Sequence, residues 1–353
     1  MEAEKILIMC PNWVGDTVMA TPAIRNIRYN FPYAKITLIG RKTVITLLKG
    51  FPYVDHMVGV DNGYFRNGFS FFFELSKEKF DLAFILPNSF SSALFACVLL
   101  IKMRVGYNRD GRRFLLTEKI EAKKEGSKYL PVSMVDYYLN ICRNTGLLVK
   151  DDFVELHITD EERESAFVLM KQWEVDLGKP IILIAPGAAF GSSKCWKEEY
   201  FAQVCDWLVV KYGYQILLAP GPGEEPIAER IETLMSMKVI NVSNPIIPID
   251  LLKCVVEKSL VIITNDSGTR HIATALNRPA VVIMGPTDPR FTQYEQPKTK
   301  VLQRDVECSP CHLRVCPKEH QCMEMIMPDE VFFAVEDLVA QEVTVSERTG
   351  ALN

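Results

Sequence analysis

Three short stretches hold residue types that could bind a phosphate and move a proton. The first is Asn265-Asp266-Ser267-Gly268, directly after the β-branched run Leu260-Val261-Ile262-Ile263. Small residues let backbone N–H groups approach a ligand there. The helix predicted from Thr269 to Leu276 would add the partial positive charge of its amino end. His271, one turn into that helix, could orient a phosphate or satisfy the loop backbone. The second stretch, Ala185 to Trp196, is rich in small residues, with Gly187 near its start and a single lysine, Lys194. A lysine can meet a phosphate as a point charge, although a lone lysine in such a loop is more often surface decoration. The third is Pro11-Asn12-Trp13-Val14-Gly15-Asp16, after the strand predicted at Lys5–Cys10. Asp16 is either the N-cap of the next helix or a carboxylate facing a cleft.

The elements around these stretches alternate. Strands are predicted at Lys35–Ile39, Val58–Val60 and Phe80–Leu86, with helical patterns between them and one apolar helix over Ser89–Met103. Alternation from residue 5 to about 150 implies a parallel, doubly wound α/β sheet. The pattern restarts at Ile181–Ile184, after Gly178-Lys179-Pro180, and continues through Gln215–Ala219 and Ala280–Met284. Two domains follow, at 1–175 and 176–327. Each candidate stretch then lies at the carboxyl end of a predicted strand, where open α/β sheets bind ligands. No G-x-G-x-x-G follows the first strand, so the dinucleotide fingerprint is absent.

Composition narrows the class. A chain of 353 residues that is 48% hydrophobic and 24% charged is globular and large enough for two cores. A net charge of −4 gives no overall basic field, so no nucleic-acid partner is expected. The longest apolar run, Ala93 to Ile101, is too short to span a bilayer, and no leader-like segment precedes the first strand, so a cytoplasmic location is expected. A locally basic stretch holds Lys102, Arg104, Arg109, Arg112, Arg113, Lys119, Lys123, Lys124 and Lys128. It is either a solvated face or a landing site for an anionic acceptor. Four cysteines, Cys308, Cys311, Cys316 and Cys322, share one short segment. Zinc is one reading of them, but their spacing is tighter than that of paired zinc knuckles.

Residues 265–289, NDSGTRHIATALNRPAVVIMGPTDP, resemble the donor-phosphate segment of the ADP-heptose lipopolysaccharide heptosyltransferases, glycosyltransferase family 9. Pro186-Gly187-Ala188 with Lys194 before Trp196 resembles the family's second donor motif, and Asn12 to Asp16 its first loop. Two residues depart from the pattern: Arg270, where methionine is usual, and Cys195, where arginine is usual. The resemblance implies two Rossmann-like domains facing a cleft, the glycosyltransferase B fold, with a terminal helix at 328–345 crossing back to the first domain and 346–353 frayed. It implies inverting transfer of heptose from ADP-heptose to a heptose of the anionic lipopolysaccharide inner core, at the inner face of the inner membrane. Asp16 would be the base and Lys194 would stabilise the leaving diphosphate. Gly187, Asp266, Ser267, Gly268 and His271 would line the donor site. Glu225, or Glu224 in the alternative register, would hold the ribose. No metal or cofactor is required by this chemistry, since no D-x-D pair is present and the cysteine cluster lies outside it. The same fold could also serve another sugar-nucleotide transferase, an epimerase, or a non-catalytic binder.

Overall fold

A computed structural model describes residues 2–61, 63–126 and 128–349, with backbone alone at 67, 69 and 343–349. The chain divides into two compact units. One holds the residues up to His157 together with Pro289–Glu295; the other holds Ile158–Asp288 and the chain from Gln296 onward.

The first unit contains β1 (Lys5–Met9), α1 (Val14–Asn30), β2 (Lys35–Arg41), α2 (Lys42–Leu47), β3 (His56–Val60), α3 (Gly68–Lys77), β4 (Leu82–Ile85), α4 (Phe90–Val98), β5 (Met103–Tyr107) and β6 (Glu118–Ile120). A short antiparallel pair follows, β7 (Lys124–Glu125) with β8 (Lys128–Tyr129), and then α5 (Met134–Asn144). The main sheet is wholly parallel, in the order β3-β2-β1-β4-β5-β6. Helices cover both faces of such a sheet, so its central strands are near-continuous apolar runs: Ile6–Met9 and Leu82–Ile85 are all buried. The strand order reverses between β1 and β4, which makes their carboxyl ends the ligand-binding edge. The helix expected over Ser89–Met103 stops at Val98. Leu100 adopts a positive φ of 57°, which breaks the helix, and Met103–Tyr107 pairs with β4 instead. Pro22 lies inside α1.

The second unit contains α6 (Asp160–Gln172), β9 (Ile181–Ala185), α7 (Glu198–Tyr212), β10 (Gln215–Leu218), α8 (Glu225–Leu234), β11 (Ile240–Asn241), α9 (Ile249–Lys258), β12 (Val261–Asn265), α10 (Gly268–Ala275), β13 (Ala280–Met284), β14 (Thr299–Gln303), α11 (Gln321–Glu324) and α12 (Pro328–Thr349). Its sheet repeats the first in order and direction, β11-β10-β9-β12-β13-β14, with the reversal between β9 and β12. Every residue of β9, β12 and β13 is buried.

The division falls before α6, between His157 and Ile158, not at the expected 175. The cause is a buried ion pair: Lys253 of α9 lies 3.0 Å from Glu162 of α6, and both side chains are inaccessible. Separating the helices would strand a buried charge, which is costly. The terminal helix also differs from expectation. Val331, Phe332, Val335 and Leu338 of α12 enter the core of the second unit, and Phe332 meets Trp207 of α7 edge to face at 5.9 Å. The segment that returns to the first unit is instead Pro289–Glu295, which lies beside α5. Helix α12 continues to Thr349, past the Ser346 where fraying was expected, and residues 350–353 fall outside those described. Among the described residues no helix is long and apolar enough to cross a membrane.

Candidate active site

In the second unit the two predicted donor loops leave adjacent parallel strands, β9 and β12, and meet at the reversal of strand order. Asn265, fully buried at the end of β12, joins them. Its amide nitrogen donates to the Pro186 carbonyl, and its amide oxygen accepts from the Trp196 N–H at 3.2 Å. Trp196 is itself buried, with its indole N–H donating to the Ile326 carbonyl at 2.9 Å. The loop therefore has fixed ends, and Lys194 projects from a short 3-10 turn, Ser192–Lys194, within it.

Asp266 is the hub of the site. Lys194 Nζ lies 2.6 Å from Asp266 Oδ2 and 3.1 Å from its carbonyl oxygen. The Thr287 hydroxyl donates to the same Oδ2 at 2.7 Å, and Arg270 Nη1 donates to Oδ1 at 2.8 Å. Burial opposes ionisation of Asp266, but Lys194, Arg270 and Thr287 outweigh it and hold its pKa well below the carboxylate range. Ser267 caps α10: its hydroxyl accepts from the Thr269 N–H at 3.3 Å and lies 3.0 Å from the Thr264 hydroxyl. Gly268 is the first helical residue, so the free N–H groups and positive end of α10 open at this edge. His271 is buried in the same helix. Burial and the neighbouring Arg270 charge push its pKa down to about 3, so it is neutral at pH 7.

The two candidate ribose carboxylates take different positions. Glu225 is the first residue of α8. Glu224 is the one turned toward the donor loop, where it accepts from the Gly221 N–H at 2.7 Å. A Cβ on Gly187 would lie 1.9 Å from its carboxyl carbon, so glycine at 187 is what lets the carboxylate in. Burial raises the Glu224 pKa against the Gly221 hydrogen bond. Cys195 is half-buried, and burial together with Glu224 pushes its thiol up to about 11, so it brings no charge to this wall.

The cysteine segment is hydrogen-bonded to the loop after β9 and to the turn after β13. Ser193 N–H donates to the Arg314 carbonyl at 3.1 Å, and His312 N–H to the Pro286 carbonyl at 2.8 Å. Ser309 Oγ donates to the Gly285 carbonyl at 2.7 Å, and a ring nitrogen of His320 lies 2.6 Å from the Ser193 carbonyl. The four cysteines are free thiols lining a cavity of about 400 Å³. Among the described residues, no three His, Cys, Asp or Glu side chains are gathered as metal ligands.

In the first unit, Asp16 is not an N-cap. Trp13 takes that position, and Asp16 is the third residue of α1, half-buried in its first turn. A carboxylate there is favoured by the helix dipole. It sits beyond the carboxyl end of β1, near two buried groups whose titration it influences. Burial, then Asp16, raises the Tyr138 hydroxyl, and burial pushes the Cys10 thiol up to about 12 with a smaller push from Asp16. The basic stretch is heterogeneous. Arg112 is fully buried, with Nε donating to the Tyr107 carbonyl at 3.0 Å and Nη2 to Asn88 Oδ1 at 3.2 Å. Burial lowers its pKa to about 10. Arg109 stacks on the Tyr129 ring at 3.9 Å. Lys102, Arg113, Lys119, Lys123, Lys124 and Lys128 are exposed.

Residues 69–321 match the family model described as glycosyltransferase family 9 (heptosyltransferase). The chain belongs to that family. It is 29% identical to lipooligosaccharide heptosyltransferase 2 of Campylobacter jejuni over 95% of this chain and 98% of that one. It is 27% identical to lipopolysaccharide heptosyltransferase 2 of Escherichia coli, over 85% and 88% of the two chains. The solved structure of E. coli ADP-heptose lipopolysaccharide heptosyltransferase II superposes with a TM-score of 0.80 at 26% identity, covering 96% of this chain and 99% of that one. The Asn12-Trp13 pair resembles heptosyltransferase II more than the first enzyme of the series, in agreement with these relatives. The architecture of this family-9 chain is the glycosyltransferase B fold, a parallel Rossmann-like sheet in each unit. Arg270 and Thr287 were not singled out as site residues from sequence. The four-residue spacing of Asp266 and Arg270 was the available signal for the first of them.

Proposed function

We propose that this protein transfers heptose from ADP-heptose to a heptose of the lipopolysaccharide inner core, with inversion at the anomeric carbon. The observation that carries the reading is the cluster at the end of β12. Lys194, Arg270 and the amino end of α10 surround a single carboxylate, leaving an excess of positive charge at the ligand-binding edge. That chemistry suits a diphosphate, and the curated relatives are named as heptosyltransferases.

In the mechanism, Asp16 accepts the proton of the acceptor hydroxyl as its oxygen attacks the anomeric carbon. The bond from that carbon to the diphosphate oxygen breaks, and its electron pair leaves with ADP. Lys194 and the N–H groups at Ser267-Gly268 stabilise the charge that develops on the leaving oxygen. Gly187 and Glu224 hold the ribose side of the nucleotide, and neutral His271 supports the loop. These fixed groups replace a divalent cation, so transfer should persist in EDTA. The acceptor is an anionic core oligosaccharide at the cytoplasmic face of the inner membrane. Support comes from the exposed cations of the basic stretch and from Phe114, 73% exposed next to Arg113.

The direct test is incubation with ADP-heptose and heptose-bearing core oligosaccharide, measuring ADP release with and without EDTA. Release that needs the acceptor and ignores EDTA is expected. Strict dependence on Mg²⁺ or Mn²⁺ contradicts the metal-independent step, and release with UDP-sugars but not ADP-heptose overturns the donor.

A further inference from the structure

The Asp266 cluster holds more cation than one carboxylate requires. Lys194 and Thr287 share Oδ2, Arg270 takes Oδ1, and all of these groups are largely shielded from water. The two cations differ in freedom. Lys194 reaches in from a loop on a flexible four-carbon stem. Arg270 is 2% exposed, rises from the rigid first turn of α10, and is pinned by Gln296 Oε1 at 3.1 Å and the Met284 sulfur at 3.9 Å. Arg270 is thus the more firmly held of the two.

In the structure the Lys194 ammonium is engaged with Asp266. To serve a diphosphate it must turn at least part of its charge away. Were it the only partner, its departure would leave a buried carboxylate held by one hydroxyl, a state that buried ion pairs strongly resist. We propose that Arg270 is the standing counter-ion of Asp266, a positioning residue that frees Lys194 to engage the donor diphosphate. The proposal rests on the reading of this site as the diphosphate site. Arg270 itself does not touch the donor; it keeps Asp266 paired and in place while Lys194 changes partner.

The test is ADP binding by calorimetry on the full chain, with Tm recorded for each variant. Arg270→Met should weaken ADP about tenfold or more, because Lys194 then stays on Asp266. Arg270→Lys, which keeps the charge and most of the volume, should recover most of that loss. The discriminating variant is Arg270→Met combined with Asp266→Asn. Removing the carboxylate removes what holds the lysine, so affinity should return to within about threefold of wild type. In a Lys194→Ala background, Arg270→Met should cost nothing further. A merely structural arginine would behave otherwise. Its loss would weaken ADP equally with or without Lys194, and Asp266→Asn would not restore binding. Either result overturns the proposal, as does wild-type affinity in Arg270→Met. If Arg270→Met lowers Tm too far to assay, Arg270→Gln in the same two backgrounds decides between the same outcomes. Wild-type protein that fails to bind ADP, or binding indifferent to Lys194→Ala alone, removes the diphosphate reading itself. Normal Lys194 dependence with a silent Arg270 removes only this inference.

Discussion

The two units are built on the same six-stranded parallel sheet with the same strand order, yet their ligand-binding edges are chemically opposite. In the second unit the reversal point carries Lys194, Asp266, Arg270 and the amino end of α10, an arrangement dense in fixed charge. In the first unit the same point carries Asp16, near the buried neutral groups Tyr138 and Cys10, while Arg112, buried in the same unit, is held by carbonyls and an amide. The second unit's edge gathers cations around a carboxylate, whereas the first unit's sets a carboxylate in the opening turn of a helix, beside groups that burial keeps neutral. The sheet supplies the common geometry; the loops supply the chemistry.

Breaking the first edge should have the largest effect. Asp16→Asn removes the proton acceptor with little change in volume, and turnover should fall ~10²–10⁴-fold while ADP affinity stays near wild type. Near-normal turnover would place the base elsewhere. Breaking the second edge should move both steps. Lys194→Ala should cost roughly 2–4 kcal/mol in kcat/KM and weaken ADP-heptose, with acceptor affinity unchanged. Lys194→Arg should recover only part, since a planar fork does not replace a compact ammonium. Weakened acceptor binding with normal donor kinetics would mean that the roles of the two units are reversed.

Two smaller effects sharpen the contrast. His271 has its folded pKa lowered to about 3, below an unfolded value of about 6.5. Between those values the unfolded chain binds the extra proton, so stability falls as pH drops below about 6.5, by about 1.4 kcal/mol per unit. Urea unfolding at pH 7.5, 6 and 5 should show this slope, and His271→Asn should flatten it; an unchanged slope in that variant assigns the pH response to other groups. The smallest effect concerns the ribose. Glu224→Gln should weaken ADP by about 1 kcal/mol, whereas Glu225→Gln should not. Equal losses would show that the turn at Gly221-Pro222-Gly223 does not select one carboxylate.

Much of this was legible in the chain. The buried strands were, because a parallel sheet covered on both faces demands unbroken runs such as Ile181-Ile182-Leu183-Ile184 and Ala280-Val281-Val282-Ile283. The donor loops were, because small residues and one lysine directly after such runs can lie only at a carboxyl edge. Met103–Tyr107 was not: MRVGY follows an apolar helical run with no turn signal such as Gly or Pro between them, and only its pairing with β4 makes it a strand. The unit boundary was also hidden, since the Lys253–Glu162 pair that ties α6 to α9 joins residues far apart in the chain.

Residue order by itself determined the two alternating patterns, the three loops and their family, since periodicity and motif spacing are local properties. Tertiary structure alone decided who partners whom at Asp266. Arg270 reads in sequence as a helical arginine where the family pattern usually has methionine. Folding places it 2% exposed with its guanidinium on Oδ1, opposite Lys194 on Oδ2. Local sequence carries neither burial nor the approach of a second loop, and in a low-dielectric site those two quantities set what each charge can do.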